Sequence, residues 1–76
     1  MTPAQMNAVV GKELRQIPRG PRGSAQRMYR SVYNNYRLNS LGAHPEVHST
    51  EDAHDAARRI VRQTYPKFEP VITVET

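Results

Sequence analysis

The sequence predicts a small α+β domain, with two to three helices followed by a C-terminal β-strand. Three observations carry that expectation. Met6, Val10, Leu14 and Ile17 recur at intervals of four, four and three, which places them in one stripe on one face of a helix. From Ser49 to Thr64 the acids come first and the arginines last, the order that complements a helix dipole. Val71-Ile72-Thr73-Val74 is a β-branched run after a proline elbow, the composition of a strand.

The first helix is expected over 3–16. Thr2 is a good N-cap, Pro3 sits where its missing N–H does no harm, and Gln5 completes a capping box. Gly11 weakens the middle by up to ~1 kcal/mol, and Ile17-Pro18 stops the helix. The doubled triplet Pro18-Arg19-Gly20-Pro21-Arg22-Gly23 then reads as an exposed connector or arm, because proline and glycine both resist helix. Two repeats are too few to suggest a repeat architecture.

Residues 24–39 match two templates. As a helix, Ser24 caps it, Met28, Val32 and Tyr36 form a stripe with Tyr29 and Tyr33 beside it, and the Leu41-Gly42 region ends it. As a strand, the tyrosines and Val32 have the right propensity, but the alternation is poor. Helix is the cleaner match. A loop from Gly42 to His48 follows, and then a third helix over 50–64. Ser49 is its expected cap, with Asp52 as a shortened capping-box acid. Asp55 pairs with Arg58 and Arg59 at helical spacing. Ala53, Ala56, Ala57, Ile60 and Val61 form a narrow small-residue face, and Tyr65-Pro66 closes the helix.

The terminal strand needs a neighbour, since an unpaired row of backbone groups costs stability. If part of 28–38 is a strand, a β-α-β unit closes within the chain. If not, the partner is a second copy or another protein.

Size and composition limit what the chain is. Seventy-six residues make one small domain, 1–76. A chain of this length buries only about 60 % of the surface its unfolded form exposes. With 37 % hydrophobic residues, one Phe and no Trp, the core is thin, so a homodimer or a larger complex would help it. The absence of cysteine leaves no disulfide framework or thiolate site and fits the cytoplasm or another reducing compartment. No apolar run approaches the ~20 residues of a membrane span. Ala8-Val9-Val10 is broken at once by Gly11-Lys12-Glu13, which argues against a signal peptide. The uncharged first eleven residues argue against a mitochondrial presequence.

Charge is distributed unevenly. Residues 1–40 hold seven basic residues against one acid, a net of +6, and residues 41–76 hold four against six, a net of −2. Between Leu14 and Pro45 lie Arg15, Arg19, Arg22, Arg27, Arg30 and Arg37 with no acid, interleaved with Tyr29, Tyr33 and Tyr36. Clustered guanidinium groups bind phosphates by counterion release, and exposed rings stack unpaired bases. Arg15, Arg19, Arg22, Arg27, Arg30, Arg37, Tyr29 and Tyr33 are therefore the candidate contacts. Helical spacing equally explains the tyrosines as core and the arginines as a solvated face.

Other chemistry finds little support. His44, His48 and His54 lie among acids but without metal-ligand spacing, so no metal or cofactor is expected. Ser49, His48 and Asp52 make a triad only on paper, because Ser49 is better used as a cap. No nucleophile elbow or glycine-rich phosphate loop is present, and no enzyme is expected.

Two functions remain. The first is a non-enzymatic small basic protein that contacts nucleic-acid phosphate backbone without clear sequence specificity. The second is a protein-interaction module, either a small viral-type inhibitor or adaptor or an accessory subunit of a large complex. It would meet an acidic protein surface through the same arginines and add Val71, Ile72, Thr73 and Val74 to a neighbour's sheet.

Overall fold

Thr2 starts the first helix, α1 (Pro3–Leu14), with both halves of the capping box in place. The Gln5 N–H donates to Thr2 Oγ1 at 3.2 Å, and the Thr2 N–H donates to Gln5 Oε1 at 2.9 Å. Two of the helix's orphan donors are thereby satisfied. The computed structural model describes residues 2–39 and 52–74. Two further helices complete its regular structure, α2 (Ala25–Asn39) and α3 (Ala53–Thr64).

Residues 24–39 are helical. Ser24 caps α2, its Oγ accepting the Arg27 N–H at 3.1 Å, so neither a strand over 28–38 nor a β-α-β unit forms. The buried stripe of α2 is Tyr29, Tyr33 and Tyr36, at 0 %, 1 % and 5 % exposure, and Met28 and Val32 flank it half-buried. The cap of α3 also differs from expectation. Asp52, in extended conformation, is the N-cap and accepts the Asp55 N–H at 2.8 Å. A carboxylate serves this role as well as a hydroxyl does and adds charge at the positive end of the helix. The expected loop 42–48, Ser49 and the Leu41-Gly42 stop lie outside the described residues.

The central helix is α2, with α1 and α3 packed against it. Ile17, Tyr29, Tyr33, Ala57 and Val61 form the core, and Leu14, Met28, Val32 and Phe68 close around it. Ala56 and Ala57 are fully buried, which is how α3 comes close enough to seat two tyrosine rings. His54 completes this layer. Its Nδ1 hydrogen-bonds the Tyr29 hydroxyl, and its ring centroid lies 4.5 Å from that of Tyr33.

Among the described residues there is no strand, so the fold is all-α and not α+β. Val71, Ile72, Thr73 and Val74 run extended along the α1–α2 connector but build no ladder. One main-chain bond reaches across, from the Thr73 N–H to Gln16 O at 2.8 Å. The second rung comes from a side chain: Gln26 Oε1 accepts the Val71 N–H at 3.1 Å, and Gln26 Nε2 donates to Val71 O at 2.9 Å. The facing connector contains Pro18 and Pro21, which lack the N–H that a ladder needs. β-Branched composition therefore produced an extended clip rather than a sheet.

Burial of Tyr29 has a measurable consequence. Desolvation pushes its phenol up from the ordinary 10.0 to about 12, and the Arg58 charge only partly opposes the rise. The folded value lies above the unfolded one, so stability is complete below pH 10 and is lost as pH rises from about 10 to about 12. The expected loss is about 2–3 kcal/mol. Denaturation midpoints followed through that interval should fall steeply, and Tyr29→Phe should flatten the fall. An equal decline in both proteins would assign the alkaline limb to other groups.

Candidate nucleic-acid interface

The connector that carries Arg19 and Arg22 is seated against the domain rather than hanging free. Gln26 Nε2 approaches Pro18 O at 3.4 Å, and the Tyr65 hydroxyl donates to Gly23 O at 3.0 Å. Gly23 turns the chain at a φ of 78°, a conformation that favours glycine. Gly20 lies directly on the first turn of α2. A Cβ there would clash with the capping Ser24 Oγ and stand 2.9 Å from Gln26 Cβ.

Arg30 fastens this arrangement from below. Its Nη1 donates to Leu14 O at 2.8 Å and also to Ile17 O, two carbonyls where α1 gives way to the connector, the first of which also accepts the Ile17 N–H at 3.1 Å. Arg37 is likewise engaged within the domain. It forms a forked pair with Glu13, with Nε to Oε2 at 3.0 Å and Nη2 to Oε1 at 2.6 Å. Arg15, Arg19, Arg22 and Arg27 are exposed. Tyr29 and Tyr33 are buried, so neither offers a ring face to a base.

Three of these residues meet. Arg19, Arg27 and Arg30 line one cleft of about 360 Å³, with Gly20 and Leu14 forming its wall. Ser31 and Asn34 complete it with neutral donors, and none of its lining residues is acidic. Crowding is felt within the cleft: desolvation first and the neighbouring Arg19 charge second lower the pKa of Arg30. Like charges held together this way are relieved by an anion. Ser31 and Asn34 had no place in the sequence reading, yet Arg27, Arg30, Ser31 and Asn34 stand at i, i+3, i+4 and i+7. That is one helix face, and the spacing alone could have grouped them.

The remaining candidates are not brought together. Among the described residues no group of three His, Asp or Glu side chains could hold a metal ion. His44, His48 and Ser49 lie outside those residues, and the Asp52 carboxylate is occupied as a helix cap. Val71, Ile72 and Val74 are exposed at 58 %, 39 % and 84 %. No described helix is long and apolar enough to cross a membrane. No protein-family model, curated protein or solved structure matches the chain at a significant level.

Proposed function

We propose that this protein binds nucleic acid through the phosphate backbone, using Arg19 and Arg27 in the cleft that Arg30 closes, together with the exposed Arg15 and Arg22. One observation carries the reading: Arg19, Arg27 and Arg30 converge on a single cleft whose lining contains no carboxylate. Arginine suits this role, since its planar fork grips phosphate oxygens in pairs. The contacts are to backbone and not to base edges, so the binding is independent of sequence.

Anisotropy of a labelled oligonucleotide across a salt series tests the proposal. The expected log–log slope of affinity against salt is about −3 or steeper. Replacing Arg15, Arg19, Arg22 and Arg27 together by Ala should flatten the slope while the helical content stays intact, because all four side chains are exposed. Absent or salt-independent binding would overturn the reading.

A second reading, a protein-interaction module on an acidic protein surface, draws on the exposed apolar side chains of Val71, Ile72 and Val74. Val74→Ser separates the two. It changes no charge and leaves every arginine in place, so it weakens binding only if an apolar protein contact is involved.

A further inference from the structure

The geometry points to a composite site for one unpaired nucleotide, with its phosphate against Arg19, Arg27 and Arg30 and its base against the ring of Tyr65. This inference rests on the nucleic-acid reading above and adds the form of nucleic acid and a residue outside the arginine cluster.

A second cleft, of about 350 Å³, adjoins the cationic one, and the two share Arg27 and Ser31. Its character is different. Met28, Val32 and Tyr65 supply apolar surface, and Gly23 and Ser24 form its end. Tyr65 is the large aromatic side chain left exposed among the described residues, at 37 %. Its hydroxyl is tied to Gly23 O at 3.0 Å, which holds the ring in a fixed attitude before any ligand arrives. Tyr29, Tyr33 and Tyr36 are committed to the core, so Tyr65 alone of the four tyrosines has a ring placed to stack.

A nucleotide has the same two-part character, an anionic phosphate joined through a sugar to a flat, weakly polar base. Stacking on an aromatic ring requires a base freed from pairing, so the composite site favours single strands over duplex. Arg27, shared between the clefts, would lie between phosphate and base, where a guanidinium serves either as ion-pair partner or as stacking plane.

The test compares a labelled single strand of about a dozen nucleotides with the corresponding duplex, for the native chain, Tyr65→Ala and Tyr65→Phe. The native chain should prefer the single strand. Tyr65→Ala should weaken single-strand binding about tenfold, the low end of what one base–ring stack contributes, and leave duplex binding within about twofold. Tyr65→Phe, which keeps the ring and loses only the tie to Gly23, should retain most of the preference. Far-UV circular dichroism of each variant excludes a loss of fold as the cause. Equal binding of both forms, unmoved by Tyr65→Ala, would overturn the composite site and leave the backbone reading standing. Failure of the native chain to bind either form would overturn both.

Discussion

Tyr29→Ala should leave the protein largely unfolded at modest temperature. The ring is fully buried among Ile17, Ala57 and Val61, and its hydroxyl is held by His54. Truncating a buried aromatic costs about 3–5 kcal/mol. A domain of this length has only about 4–11 kcal/mol in total, so the loss takes a large share of it. The thermal midpoint, read by far-UV circular dichroism, is the direct measurement. A midpoint unchanged from the native chain would mean that the ring is not part of the core. The result also bears on function, because lost nucleic-acid binding in this variant reports lost structure. An alanine scan of the Arg/Tyr segment would otherwise misread Tyr29 and Tyr33 as contacts.

Arg30→Ala should lower stability by about 2–3 kcal/mol, since hydrogen bonds from a charged donor are worth roughly 1.5–3 kcal/mol each and do not add in full. In a chain of this size that corresponds to a fall in melting temperature of about 10–20 °C. The cause is specific: Ile17 O loses its side-chain donor, and Leu14 O keeps only the Ile17 N–H, where α1 turns into the connector. Arg27→Ala provides the contrast. Its side chain is exposed, and removing it should change stability by no more than about 0.5 kcal/mol. Equal melting curves for the two variants would show that the Arg30 contacts contribute nothing to the fold. Arg30→Lys should fall between native and Ala, because the ammonium keeps a charged donor but with a shorter reach that fits less well between two carbonyls served by the single Nη1 of Arg30.

Much of the helical structure was legible in the sequence because its signals are local. Thr2, Pro3 and Gln5 specify the start of α1 within four residues, and the spacing of the tyrosines favours helix over strand in α2. What could not be read depends on distant partners. Val71 to Val74 look like a strand by composition, but strand formation depends on the neighbouring backbone. Here that neighbour is a connector interrupted by Pro18 and Pro21. Arg30 and Arg37 look like the rest of the arginine run until Leu14, Ile17 and Glu13 come within reach. The cleft itself was half visible, since the run of arginines marked the face. Gly20, which lets Arg19 lie close to α2, gave no sign beyond its place in a turn-forming triplet.

The amide of Gln26 makes the connector and the segment at residues 71–74 answer to each other. It joins Pro18, at the start of the connector, to Val71, which lies 45 residues beyond Gln26 itself, and so the order of one segment is a condition for the order of the other. Linkage makes that dependence reciprocal. A ligand that requires Arg19 in its seated position raises the free energy needed to peel residues 71–74 away, and anything that captures those residues loosens Arg19. Hydrogen exchange at the Val71 and Thr73 amides would therefore slow when an anion occupies a cleft that neither residue lines.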